Sequence, residues 1–313
     1  DTPSSARDVE VVGTTAYVAD TWGGFLALDV SDPSNIQLLD SAGAGAMAVD
    51  VEIAGNIAYV ARYSSGLTAY DISNPTELTQ IGTLLSMGAA GNLNQAVEVL
   101  IAGDRAFVAD RGLGVVVVDI TDPAAMKRIN SFASGRNAWG IDLVGDRLYV
   151  TQDYPETSGQ PIRDGLSVWD VSDVMNPREL GSIAGIDKSP WQVTVIRGVA
   201  IVGHTGGLSF IDVSDPARMT LEHSFAVPEF GASALMIGTN LWLPVGDAGI
   251  LRMDTARLFD PPNGVIDSPI NGAVYTLGDA VSLQSSWTGD SPVVAWNWQI
   301  TGPENFTFDV EDP

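Results

Sequence analysis

Val115-Val116-Val117-Val118-Asp119 runs on through Ile120-Thr121 into Asp122-Pro123, an apolar strand that ends in aspartate and enters an Asp-Pro turn. The same strand ending recurs at Phe25-Leu26-Ala27-Leu28-Asp29, Leu67-Thr68-Ala69-Tyr70-Asp71, Leu166-Ser167-Val168-Trp169-Asp170, Leu208-Ser209-Phe210-Ile211-Asp212 and Ile250-Leu251-Arg252-Met253-Asp254. The six aspartates fall 42, 48, 51, 42 and 42 residues apart. One unit has been copied and twice lengthened, and a repeat of this period sets the architecture before any site is considered. A residue found in every copy therefore serves the fold first.

Within the first unit, Asp8-Val9-Glu10-Val11-Val12 is followed by a turn at Gly13-Thr14, then Ala16-Tyr17-Val18-Ala19-Asp20. A second turn at Trp22-Gly23-Gly24 leads into the strand ending at Asp29, and the turn at Asp32-Pro33 leads into Ile36-Gln37-Leu38-Leu39. Four short strands bounded by Gly, Asp and Pro are predicted in each unit. No stretch has the apolar spacing of a long helix. Apolar residues occupy both parities, as in Val115 to Val118, so both faces of each sheet need cover. A four-stranded sheet covered on both sides by its neighbours is a propeller blade. The fold predicted is all-β, a six-bladed β-propeller of four-stranded blades, or seven blades if chain is missing. The innermost strands are expected to start near Asp8, Asp50, Ala96, Trp139, Trp191 and Ala234.

The sequence Asp-Val-Ser-Asp-Pro at Asp29 to Pro33 and Asp212 to Pro216, with variants at Asp71 to Pro75 and Asp119 to Pro123, resembles the LVIVD repeat family. The resemblance covers roughly residues 6 to 255. It implies a β-propeller, and a setting in bacterial or archaeal surface or secreted proteins. The family carries no agreed catalytic residues, so none transfer to this chain. The expected domains are a propeller over residues 1–258, a linker over 259–264 and a further module over 265–313. That module, with Ile270 to Tyr275, Gly278 to Leu283 and Val293 to Trp298 as strands, resembles the opening of a PKD-like or other Ig-like β-sandwich, Trp298 being its core tryptophan. It is shorter than the roughly 80–100 residues such a sandwich takes. Either the sequence is a fragment, or a neighbouring subunit donates strands, in which case the arm Asp1 to Ala6 could build a filament.

A net charge of -24 and a pI near 4.1, with Lys127 and Lys188 the only lysines, argue against nucleic acid and anionic membrane surfaces as partners. Cysteine is absent, which excludes disulfides and thiolate metal sites. No apolar run is long enough to insert in a membrane as a helix. No cofactor is expected. Structural calcium would suit the many aspartates, but Asp32, Asp122 and Asp215 each stand before proline, where a type I turn prefers Asp on its own account. His204 and His223, the only histidines, are too few for a His-rich zinc site, so no metal ligand is assigned. His204 also fills the repeat slot held by Asp20 and Asp110 elsewhere. No Gly-x-Ser-x-Gly elbow, phosphate loop or dinucleotide fingerprint occurs, and no catalytic residue is assigned.

The functional signal lies where the repeats lengthen. Asp153 to Arg163 follows a second strand and Ser86 to Gln95 follows a fourth, and both connections emerge on one face of an up-and-down blade. That face is predicted to collect Trp22, Arg62, Tyr63, Arg111, Arg136, Trp139, Tyr154, Trp191 and His204. Aromatic and arginine side chains anchor recognition surfaces, and loops on a rigid scaffold are where binding usually resides. The competing reading makes Trp139 and Trp191 plugs at the channel mouth. The sequence thus reads as a non-enzymatic extracellular or cell-surface protein that binds a protein, a glycan or another copy of itself. The alternatives are a secreted polysaccharide hydrolase or lyase, with Asp153, Glu156 and Asp164 converging on His204, and a filament subunit.

Overall fold

The structure, a computed structural model, describes residues 2–85, 95–133, 136–153, 165–186, 190–230, 234–237, 240–244, 250–254, 265–268, 284–286, 297–301 and 305–309. Sheet 1 consists of β1 (Asp8–Val12), β2 (Thr15–Asp20), β3 (Gly24–Asp29) and β4 (Gln37–Ala42). Sheet 2 consists of β5 (Asp50–Ala54), β6 (Ile57–Ala61), β7 (Leu67–Asp71) and β8 (Thr79–Leu84). Sheet 3 consists of β9 (Ala96–Ala102), β10 (Arg105–Asp110), β11 (Gly114–Asp119) and β12 (Lys127–Phe132). Sheet 4 consists of β13 (Asn137–Val144), β14 (Arg147–Asp153), β15 (Gly165–Asp170) and β16 (Arg178–Ala184). Each is an antiparallel meander in chain order.

Sheet 5 has β17 (Pro190–Ile196), β18 (Val199–Asp212) and β19 (Thr220–Phe230). The first half of β18 pairs with β17 and the second with β19. His204 and Ser209, both on β18, touch at 3.1 Å. Five extended residues would span about 16 Å, so the chain doubles back at Thr205–Gly207 and β18 supplies the second and third lengths of a four-length sheet. Sheet 6 has three described strands, β20 (Leu235–Ile237), β21 (Asn240–Pro244) and β22 (Ile250–Asp254). Beyond it, β23 (Val265–Ser268) pairs with β24 (Gln284–Ser286), and β25 (Asn297–Thr301) pairs with β26 (Asn305–Asp309). Trp298 sits on β25, opposite Phe308. The other two strands expected in this region, Ile270 to Tyr275 and Gly278 to Leu283, lie outside the described residues.

The first strands of sheets 1 to 5 adjoin one another in order, and a separate apolar cluster fills each gap between sheets. Val116 and Val118 pack with Leu67 and Ala69 of sheet 2, whereas Val115 and Val117 pack with Ala138 and Ile141 of sheet 4. The double parity of the Val115 to Val118 run is thereby explained: odd residues serve one interface and even residues the other. The result is a propeller-like all-β fold. Its first sheet is only partly covered on the outer side. Val9 is 54% exposed and Val11 61%, although the residues at the position of Val9 in sheets 2 to 5, Val51, Val99, Ile141 and Val193, are buried.

Carboxylates lock the first strands together. Asp8 accepts from the Val51 amide at 3.1 Å, Asp50 from Val99 at 2.7 Å, Glu98 from Ile141 at 3.1 Å and Asp142 from Val195 at 2.6 Å. The amides of Ile53 and Ile101 stand in the same relation to Glu10 and Glu52. In each case the acid belongs to the earlier sheet and the amide to the later one.

The aspartates that mark the repeat are local. Asp29, Asp71, Asp119, Asp170 and Asp212 each accept the amide two residues on, at 2.8–3.1 Å. The second aspartates do likewise: Asp32 takes Ser34, Asp122 takes Ala124 and Asp215 takes Ala217, the last two capping short 3-10 turns. The N-terminal segment is also held by its own chain. Thr2 Oγ1 and the Ser4 amide both donate to Asp20, at 2.8 Å, and the Ser5 amide donates to Thr21 Oγ1 at 3.2 Å.

Candidate functional site

Four of the predicted face residues form one continuous row across sheets 2 to 5. Tyr63 follows β6 with φ at +48°, a left-handed conformation fixed by a pair of backbone bonds with Ala96 at 3.0 and 3.1 Å. Its hydroxyl accepts from Arg111 Nη1 at 2.6 Å. The Arg111 guanidinium lies 4.0 Å from the centre of the Trp139 ring, and Trp139 packs on Trp191 with ring centres 4.4 Å apart, tilted by 52°. Such cation–π and aromatic contacts contribute on the order of 0.5–2 kcal/mol each.

The polar edges of the row are fixed as well. Asp153 Oδ2 accepts the Trp139 indole N–H at 2.9 Å and Oδ1 accepts Asn137 Nδ2 at 2.6 Å, while Trp191 Nε1 donates to Thr205 Oγ1 at 3.3 Å. Asn137 and Thr205 were not among the expected residues. A register shift between Ala138 and Ile141, and another between Pro190 and Gln192, bring the two tryptophans into this position at the starts of β13 and β17.

The remaining predicted residues are placed differently. Arg62 is 9% exposed and His204 7% exposed, so both lie beneath the face. They belong to one buried slot per sheet, occupied in turn by Asp20, Arg62, Asp110, Gln152 and His204, at the end of each second strand. Arg62 donates to the Gly43 carbonyl at 2.7 Å. The His204 ring contacts Ser209 Oγ at 3.1 Å, and Ser209 Oγ lies 3.2 Å from Ser224 Oγ. Arg136 is drawn to Glu179 on β16 at 3.9 Å. Trp22, 63% exposed, stands apart on sheet 1, at a separate depression that it lines with Pro3, Ser4 and Leu38. Tyr154, Glu156 and Asp164 lie outside the described residues, as do residues 86–94 of the insertion ending at Gln95.

Two buried acceptors of the slot, Asp110 Oδ2 and Gln152 Oε1, have no hydrogen-bond partner, and neither does Arg111 Nε beside them. Buried polar atoms are rarely left so. Burial also raises the Asp110 carboxyl above its usual range. Among the described residues no group of three or more His, Asp or Glu side chains is placed to hold a metal ion, and no helix is long and apolar enough to cross a membrane.

The model of the LVIVD repeat matches residues 3–42, 45–85, 94–133 and 190–227, together just over half of the chain. The chain belongs to the LVIVD repeat family. The matched LVIVD repeats coincide with sheets 1, 2, 3 and 5; sheet 4, lengthened within its repeat, and sheet 6 fall outside the match. No curated protein matches the chain. Among solved structures, the computationally designed Ika8 protein is similar with a TM-score of 0.57 at 10% identity, covering 80% of this chain and 71% of that one. A functionally unknown protein from Desulfotomaculum acetoxidans is similar with a TM-score of 0.56 at 13% identity, covering 80% of this chain and 85% of that one. At such identities both likenesses speak to the fold alone.

Proposed function

We propose that this LVIVD-repeat protein is a non-catalytic recognition unit, a six-bladed propeller with an Ig-like C-terminal module, acting outside the cell or at its surface. Its partner is a protein, a glycan or another copy of itself. The observation that carries the reading is the row Tyr63, Arg111, Trp139 and Trp191, an arginine held between aromatic rings over four consecutive sheets. Residues of this kind, fixed in place before a partner arrives, form the energetic centre of recognition surfaces. The acidity and the absence of cysteine suit such a setting.

Of the acids that the hydrolase alternative brings to His204, Asp153 is engaged by Asn137 and Trp139, and His204 contacts Ser209; Glu156 and Asp164 lie outside the described residues. For the strand-donating filament, the arm named as a donor is engaged within its own chain, Thr2, Ser4 and Ser5 bonding to Asp20 and Thr21. A glycan array and sedimentation of the purified chain test the reading together. The double variant Arg111→Ala/Trp191→Ala is expected to weaken the detected ligand or self-association about tenfold or more. Release of sugar from a polysaccharide, abolished by His204→Ala, would replace this reading with the hydrolase one.

A further inference from the structure

At the end of the sheets opposite the aromatic row, a cavity of about 480 Å³ opens between sheets 4 and 5, lined among others by Asp146, Arg147, Tyr149, Arg197, Gly198 and Ser214. Two arginines in one depression are unexpected in a chain that carries 15 basic against 39 acidic residues. Two independent departures from the repeat put them there.

The first departure concerns Arg147. Its counterpart in sheet 3, Arg105, follows the same Gly-Asp turn and is held by Asp104 at 3.1 Å and Asp119 at 3.4 Å. In sheet 4 the acid corresponding to Asp119 is Asp170, and it is paired with Arg178 at 3.3 Å. Arg147 is thus left without a hydrogen bond or ion pair among the described residues. The second departure is the backbone of Arg197. The turn between first and second strands has glycine in the left-handed region at Gly13, Gly55, Gly103 and Gly145, with φ of 61–62°; in sheet 5 that position is Arg197, with φ of 52°. A side chain is rarely tolerated there without a compensating role, and this one lines the cavity that Arg147 also lines.

We propose that this cavity is an oxyanion site, taking one carboxylate, sulfate or phosphate group between the guanidinium groups of Arg147 and Arg197. Two parallel N–H donors on a planar guanidinium match the oxygens of such a group. Asp146 also lines the cavity, which favours a group that brings a hydrogen-bond donor as well.

The test is an amide-shift titration of the full chain by nuclear magnetic resonance with sodium acetate and with inorganic phosphate. Ionic strength is held at 0.15 M with chloride, where long-range repulsion from the acidic surface is screened beyond about 8 Å. Shifts at Gly198 and Gly145 are expected to saturate with half-effect at roughly 1–10 mM, the weak range fitting a shallow two-arginine site. Saturation by acetate alone assigns carboxylates, and saturation by phosphate assigns tetrahedral oxyanions. Arg197→Gly restores the residue found in the other sheets, so it keeps the fold while removing the response; Arg147→Ala removes it as well. Shifts that rise linearly with both salts, or that persist unchanged in Arg197→Gly, overturn the proposal.

Discussion

Gly114→Val is expected to cost at least about 3 kcal/mol of stability, read as a large drop in the urea midpoint. Gly114 opens β11 with φ at +79°, and a Cβ there would stand 2.4 Å from the Phe132 carbonyl oxygen and 2.5 Å from that of Ala133. Both atoms are backbone, so no side chain can rotate away. The same approach recurs at the start of each third strand: 2.4 Å at Gly24, 2.2 Å at Gly66, 2.0 Å at Gly165 and 2.2 Å at Gly207. Gly103→Ala is the control. It shares a left-handed backbone, with φ at +61°, but meets nothing within 4 Å, so only about 1–2 kcal/mol of backbone strain is expected. Equal losses in the two variants would show that conformation, not the carbonyl contact, fixes these glycines.

The second large effect is a loss of stability as pH rises from about 4.5 to 8. Burial first, and then mutual repulsion, push up the carboxyls of Asp50, beside Asp8, and of Glu98, beside Asp50; Glu52 is raised to about 7 by burial and by Glu10. Burial likewise raises Asp8, Glu10 and Asp142. A carboxyl whose folded pKa exceeds its unfolded one binds more protons in the folded state between the two values. Its contribution is therefore complete below the unfolded value and declines as pH climbs through the folded one. For Glu52, discounted for solvent screening, this amounts to about 1–2 kcal/mol. The turn aspartates act in the opposite sense. Local Ser and Thr hydrogen bonds lower Asp29, Asp71, Asp119, Asp170 and Asp212, so their contribution fades only as pH falls below the ordinary aspartate range. The melting temperature should peak near pH 4–5 and be lower at pH 8 by roughly 5 °C. Glu52→Gln, which still offers the Ile101 amide an acceptor, should raise the pH 8 value and flatten the slope. A melting temperature that climbs steadily from pH 5 to pH 8 would contradict this account.

Much of the architecture was legible because strand periodicity and turn chemistry are local. The run from Val115 to Val118 announced two covered faces, and Asp122-Pro123 announced its turn, without reference to distant residues. The carboxylate locks were not legible. Asp8-Val9-Glu10 and Asp50-Val51-Glu52 read as ordinary polar alternation, and the amides they meet lie a whole repeat away. Their recurrence at the same place in successive units was the available clue. The residues expected on that face divide by depth, for a related reason. Sequence order placed Arg62 and His204 next to exposed turns, but the slot at the end of each second strand points inward. Their neighbours, half-buried Tyr63 and exposed Thr205, take part in the row. The glycines opening the third strands were visible as turns, while the carbonyls that require them belong to the fourth strands.

Exposed Val9 and Val11 on β1 have one more implication, for the way the molecule breathes. Sheets 2, 3 and 4 are clasped from both sides, whereas sheet 1 keeps an open flank, so the least costly local opening begins at that flank and the most costly lies in the middle. Amide hydrogen exchange under native conditions should therefore be graded from sheet 1 inward. Exchange would be fast in β1, slower in β5 and slowest in β10 and β11, whose amides would be released only when the whole chain unfolds.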